Sequence, residues 1–395
     1  MIVSPSALSE MQGKERERGG FKQLKRAYGF EEVAIVPGQV TMNPRDTEIG
    51  LTIGDREFDL PILAASMDGV VDPEFAALYT EKGGLATLNL EGVHGRYPNP
   101  EEMLRQVIDA PADKVTAVLQ KIYSAPLKEE HMVNSIENMK KRGAVVAVSI
   151  TPANTNQFVD AIVDAGADYF VCASTVTTAR YISRDSVGLN IEDLVKKIPI
   201  PVIIGNTVSY GSTLELMEAG VSGVLVGVGP GAACTSREVL GIGVPQVTAT
   251  IDTAAARDEY YRRTGRYVPI ITDGGIRSGG DLSKALVSGA DGVMLGSIFA
   301  GTEEAPGKGY HWGMATPHPD LPRGTRIRVG VRGSLEQILN GPTDKTDGTE
   351  NLVGALKTAM GMCGAPSIKD FQQAELILAP AIKTEGKQLQ ISGSV

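Results

Sequence analysis

Cys234 stands in the run Gly229-Pro230-Gly231-Ala232-Ala233-Cys234-Thr235-Ser236-Arg237, directly after the apolar stretch Gly223–Val228. A thiol on a glycine-rich loop is approached by backbone N–H groups that few side chains obstruct. Arg237 adds a permanent positive charge three residues on. Amides and a cation both favour thiolate over thiol, and the thiolate is the nucleophile. A lone Cys after a strand can equally be a small core residue, but a core Cys needs neither the glycines nor Arg237. Two further pairs, Gly274-Gly275 and Gly296-Ser297, also follow apolar runs. Such turns can hold a phosphate through backbone N–H groups. Asp273, just before the first pair, can accept two hydroxyl hydrogen bonds from a ribose; its plainer role is to cap the next helix. Phosphate, ribose and thiol together predict a nucleotide whose base faces Cys234.

Something must bring these residues together. One phrase recurs along the chain: a helical segment, a glycine, then a short apolar strand. It occurs at 82–88, 142–148, 165–171, 219–226 and 288–295. Glycine past a helix end permits the left-handed cap, and a continuously apolar strand is buried on both faces, as in a parallel sheet. Residues 60–65, 201–206 and 268–273 bring the strand count to eight. Helical segments at 157–164, 213–219, 247–263 and 281–287 separate most of them. The prediction is an α/β fold, a (β/α)8 TIM barrel spanning 51–375. A doubly wound open sheet would need a dinucleotide fingerprint after an early strand, and none is present.

Barrel chemistry sits at the C-terminal strand ends. In order these carry Met67 and Asp68, then Glu91, Ser174-Thr175, Asn206-Thr207, the Cys234 loop, Asp273-Gly274-Gly275 and Gly296-Ser297. No Lys ends a strand, which argues against a Schiff-base enzyme. Three regions lie outside the repeat. Residues 1–50 form an N-terminal arm and lead-in, with a charged stretch at 14–26. Residues 92–140 are a helical insertion, with helices at 100–108, 114–122 and 130–141. Residues 299–350, rich in Pro and Gly, are expected to be a long functional loop. Residues 376–395 are a C-terminal tail.

Composition sets bounds. The chain has 395 residues, 42% of them hydrophobic, with 5% aromatic and 46 Gly, which suits strands, turns and helices around a large core. A net charge of −9 argues against broad nucleic-acid binding. Three widely spaced Cys and four scattered His fit a reducing compartment with neither a disulfide framework nor a metal cluster. No apolar signal region or membrane-length run is present, so a cytoplasmic location is expected.

The Cys234 run followed by Gly243-Val244-Pro245-Gln246 resembles the active-site loop of the IMP dehydrogenase/GMP reductase family. Further matches are Phe30-Glu31-Glu32-Val33, Met67-Asp68, Gly205-Asn206, Asp273-Gly274-Gly275, Gly313-Met314, Asn351-Leu352 and Cys363-Gly364-Ala365. The resemblance covers roughly residues 28–375. It is nearest the barrel-only branch that lacks the regulatory CBS pair, and residues 92–140 fall where that pair sits. It implies that Cys234 attacks C2 of the purine, with Ser236 at the place of a family Thr. Asp273 would bind the ribose, and Gly275, Gly296 and Ser297 the phosphate. Met67, Gly231, Gly313 and Met314 would contact the rest of the nucleotide. Ser174 and Asn206 would face the cofactor. The carbonyls of Gly229, Gly231 and Cys234 match the family's potassium site.

The resemblance therefore implies an IMP dehydrogenase, with IMP and NAD as partners and NAD, with K+, as cofactors, assembled as a homotetramer or octamer. The sequence also departs from the family. Ala173 stands where an Asp helps hold the nicotinamide end. The flap is short and lacks the Arg-Tyr pair of the dehydrogenases. Arg323 occupies the place of the reductases' Glu, and Arg323 or Arg326 is the candidate base for hydrolysis. GMP reductase is the alternative reaction, and a nucleotide-binding regulator with degenerate chemistry is a third reading.

Overall fold

The computed structural model describes residues 24–183, 188–313 and 326–379. Eight parallel strands close a barrel, as the strand count predicts. They are β1 (Ile62–Ala64), β2 (Leu85–Asn89), β3 (Ala147–Ile150), β4 (Tyr169–Ala173), β5 (Val202–Thr207), β6 (Gly223–Val226), β7 (Ile270–Asp273) and β8 (Gly292–Leu295). Consecutive strands pair, and β8 returns to β1 with Leu295 opposite Ala64.

The continuous apolar character of these strands has two destinations. Leu63, Val171, Ile203, Leu225, Ile271 and Met294 fill the barrel interior. Their neighbours Ile62, Val148, Phe170, Ile204, Val224 and Val293 face the helices. The hairpin Leu51–Ile53/Arg56–Phe58 joins the interior cluster at the N-terminal end, where the Tyr169 hydroxyl donates to the Ile53 carbonyl at 3.0 Å.

The outer helices include α1 (Pro73–Glu81), α2 (Pro100–Asp109), α3 (Val115–Tyr123), α4 (Glu129–Lys141), α5 (Pro152–Asp164), α6 (Ile191–Lys197), α7 (Tyr210–Glu218), α8 (Gln246–Thr264) and α9 (Gly279–Val287). Their starts follow capping rules: Asp72, Ser209 and Ser278 each accept a first-turn N–H. The recurring glycine is used as expected. Gly83, Gly143, Gly166, Gly220 and Gly289 all have φ between 79° and 109°, a region where a Cβ is strained.

Of the three helices in 92–140, α4 packs in the outer ring between α1 and α5. The pair α2–α3 forms its own apolar cluster, into which Trp312 inserts. The region expected to be a long loop carries more structure than its Pro and Gly content suggests. Tyr310–Trp312 pairs antiparallel with Arg326–Arg328, and a helix follows at Leu335–Asn340. Three-residue strands are too short to show an alternating pattern, so nothing in the sequence announces them. Leu376–Leu378, placed in the tail, pairs with Val33–Ile35. No helix among the described residues is long and apolar enough to cross a membrane.

Candidate active site

The strand ends converge as the barrel topology requires. A cavity of about 630 Å³ opens at the C-terminal mouth. Met67, Gly231, Cys234, Ser236, Asp273, Gly275, Gly296, Ser297 and Gly313 all line it. A second cavity, about 240 Å³, is lined by Ser174, Asn206, Gly229, Glu91 and Thr151. The two share Gly231, Cys234 and Asp273, so the thiol stands at their junction. Met314 and Arg323 lie outside the described residues.

Cys234 is exposed, not packed in the core. Its Sγ lies 3.3 Å from Ser236 Oγ, a hydroxyl that is itself buried. The other two thiols differ: burial pushes Cys172 up to about 12, and it lies in the apolar layer under the helices. The loop's close approach to β7 depends on glycine. Gly275 has φ 81°, and a Cβ there would come 3.1 Å from the Pro230 Cβ. Arg237 does not hold its charge freely beside the sulfur. Its guanidinium donates to the Val244 carbonyl at 2.9 Å and packs against Gly229 and Gly243, so it braces the loop.

Asp273 accepts from Asn206 Nδ2 at 2.8 Å. Burial pushes its carboxyl up to about 6, and the Asn206 hydrogen bond opposes that only in part. Ser297 Oγ lies 2.9 Å from His311 Nε2. Burial lowers His311 to about 4, so the ring is neutral near pH 7 and its Nδ1 has no hydrogen-bond partner among the described residues. Arg277, held by Glu31 at 2.7 Å, also lines the larger cavity. Backbone amides at two glycine turns, the Ser297 hydroxyl and the partly paired Arg277 make this part of the mouth less acidic than the chain as a whole.

In the second cavity the Glu91 carboxylate is tightly placed. Its Oε1 accepts from Thr151 N (2.7 Å), Thr151 Oγ1 (2.6 Å) and Asn154 Nδ2 (3.0 Å). Ser174 Oγ is engaged locally, at 2.9 Å from the Val176 carbonyl. Amide and hydroxyl groups line this cavity, and among them Asn206 Nδ2 is engaged with Asp273. The donor set proposed for potassium fits less well. The Gly231 carbonyl already accepts from Cys234 N at 3.0 Å, and the fixed cation of Arg237 lies against Gly229.

Arg326, one of the two candidate bases, is committed elsewhere. Its Nη1 donates to the Val107 and Ile108 carbonyls at the end of α2, and its guanidinium lies 4.6 Å over the Tyr310 ring. Held by two carbonyls and a ring, this guanidinium is tied to the end of α2 rather than directed at the thiol. His311 and Gln246 enter the site without having been singled out as site residues. His311 adjoins the Gly313-Met314 motif, but its bond to Ser297 leaves no local sequence signal. Gln246 belongs to the motif run, and its amide donates to the carbonyls of Val226, Asp273 and Gly274.

Comparison with known proteins agrees with this geometry. The family model described as "IMP dehydrogenase / GMP reductase domain" matches residues 27–316. An uncharacterized oxidoreductase of Mycolicibacterium smegmatis is 38% identical over 91% of this chain and 98% of its own length. The inosine-5'-monophosphate dehydrogenase of Thermoplasma acidophilum is 31% identical over 92% of this chain and 77% of its own length. The crystal structure of an IMP dehydrogenase/GMP reductase-like protein from Corynebacterium glutamicum superposes with a TM-score of 0.86 at 35% identity, covering 94% of this chain and all of that one. With its thiol loop, the Asp273 carboxylate and the glycine turns on one barrel mouth, the chain belongs to the IMP dehydrogenase/GMP reductase family of oxidoreductases.

Proposed function

We propose that this chain oxidises IMP to XMP, with NAD+ accepting the hydride. The observation that carries the reading is the place of Cys234, an exposed thiol at the meeting point of a nucleotide-sized cavity and a smaller polar one. Asp273 holds the ribose hydroxyls. Gly275, Gly296 and Ser297 hold the phosphate, and Met67 and Gly313 flank the base. This orientation presents C2 of the purine to the sulfur, and Cys234 adds there. NAD+, when bound beside Asn206, supplies a hydride acceptor. Loss of hydride leaves a thioimidate on Cys234; water then adds to C2, the C–S bond breaks and the thiol is regenerated. Overall, IMP, NAD+ and water become XMP, NADH and a proton. Arg323 is the proposed base for the water step. Assembly as a homotetramer or octamer and a cytoplasmic location belong to the same proposal and rest on family membership.

One observation favours a second reading. The Glu91 carboxylate borders the same cavity as Cys234. In GMP reductase chemistry the thiolate adds to C2 and protonated ammonia leaves; hydride from NADPH would then add to C2 and the C–S bond would break to give IMP, and a carboxylate beside the site would stabilise the departing ammonium. Incubation with IMP and NAD+ separates the two. Rising NADH absorbance is expected. Consumption of NADPH with GMP, and silence with IMP and NAD+, would establish the reductase instead. IMP binding with neither turnover would identify a nucleotide-binding regulator. Cys234→Ala is expected to lower turnover by about 10³-fold or more while IMP still binds; near-normal turnover would remove the covalent mechanism.

A further inference from the structure

The α2–α3 pair is extra to the barrel, yet its last residue reaches a buried chain of hydrogen bonds beneath the nucleotide cavity. Trp312 Nε1 donates to Tyr123 Oη at 2.6 Å. Tyr123 Oη in turn lies 2.6 Å from Asp68 Oδ2, which also accepts from Val93 N at 2.8 Å. The polarity is forced. An indole N–H can only donate, so the Tyr123 hydroxyl accepts from Trp312 and directs its own proton to Asp68 Oδ2. Asp68 and Trp312 are fully buried and Tyr123 nearly so, in surroundings where each polar group needs its partner.

Each end of this chain adjoins a residue of the larger cavity: Met67 precedes Asp68, and His311 precedes Trp312. The two segments also touch through backbone. Gly307 N donates to the Gly69 carbonyl at 3.1 Å, and a Cβ at Gly69 would come 2.6 Å from the Tyr310 carbonyl. We infer that Tyr123 is a positioning residue for the nucleotide: by bridging Asp68 and Trp312 it sets the spacing of Met67 and of the His311–Ser297 pair across the cavity. The two extra helices thereby act as a buttress built into the chain. The inference rests on the nucleotide reading above and adds a remote determinant of affinity to it.

Tyr123→Phe removes the hydroxyl and keeps the ring. Tyr97→Phe is the comparator: it removes one hydrogen bond in the same helical region, from Tyr97 Oη to the Ile122 carbonyl at 2.8 Å, without touching the chain beneath the cavity. Isothermal calorimetry with IMP and thermal melting are measured on both full-length variants and on the wild type. Tyr123→Phe is expected to bind IMP about tenfold more weakly. Tyr97→Phe is expected to lower the melting temperature while keeping affinity within about twofold of wild type. Wild-type affinity in Tyr123→Phe, or equal weakening in Tyr97→Phe, overturns the positioning role alone. If Tyr123→Phe fails to fold, Trp312→Phe carries the same test, because it removes the indole donor at the far end together with part of the buried ring; unchanged affinity there overturns the role as well. A wild-type chain with no affinity for IMP overturns both this inference and the reading on which it rests.

Discussion

Asp273 is pulled in two directions. Burial favours its neutral form and pushes the carboxyl up to about 6, whereas Asn206 favours the ionised form, as the hydroxyls of the proposed ribose would. The ionised carboxylate accepts two hydroxyl donors; the protonated one keeps a proton of its own on one oxygen. Under the proposed function, nucleotide binding draws on the charged form, so it is present above about 6 and lost as pH falls through that value. Calorimetry with IMP between pH 5 and pH 8 is expected to show affinity declining by about tenfold per pH unit below the pKa. A flat profile would separate Asp273 from the ribose. Cys234 and Asp273 were legible in the sequence because each follows directly on an apolar strand, where barrel chemistry is found. Arg237 and Arg326 were legible as charges only. Their partners, the carbonyls of Val244, Val107 and Ile108, are backbone groups that any residue could have supplied.

At the scale of elements, one side chain ties together the two strands that flank the Cys234 loop. The Gln246 amide, at the first residue of α8, donates to carbonyls at the ends of both β6 and β7. It thus ties the strand before the thiol to the strand that ends in Asp273. Gln246→Ala leaves buried carbonyls short of a donor and is expected to cost about 1–3 kcal/mol in denaturant unfolding. Turnover is expected to fall as well, because the strand before the thiol loop and the strand ending in Asp273 lose their shared anchor. Unchanged stability and turnover would show that the Gln246 tie between the two strands is not needed. The recurring helix–glycine–strand phrase made the order of elements readable, since each glycine answers a local backbone need. The ribbon Tyr310–Trp312/Arg326–Arg328 had no such signature; it is held by the α2–α3 pair and by Arg326, contacts remote in sequence.

Across the whole molecule the two barrel ends divide the work. The C-terminal mouth carries the thiol, while the N-terminal end carries a buried ion network centred on Asp291, just before β8. Its carboxylate is met by Arg257 (2.8 Å), Lys369 (2.9 Å) and Tyr267 (2.5 Å). Lys369 comes from the short helix Ile368–Phe371, so the network fastens the end of the described chain to the barrel floor. Removing one partner of a buried pair strands the other charge, and Asp291→Ala is expected to cost about 3–5 kcal/mol. IMP affinity of the folded fraction is expected to stay at wild-type level, because the change lies at the opposite end from the mouth. Melting and calorimetry together check this; weakened nucleotide binding with intact stability would contradict the division.

The amino-acid sequence by itself determined the eight strands, their order, and the placing of Cys234, Asp273 and the glycine turns at strand ends. These follow from local rules: runs of apolar residues, glycine after helices and polar caps before them. Only the tertiary structure decided that the thiol stands between two cavities, that His311 meets Ser297, and that Tyr123 joins Asp68 to Trp312. Those contacts span 14, 55 and 189 residues. A hydrogen bond across such a distance leaves no periodicity in the chain, because it depends on where whole elements dock and not on what precedes or follows each residue.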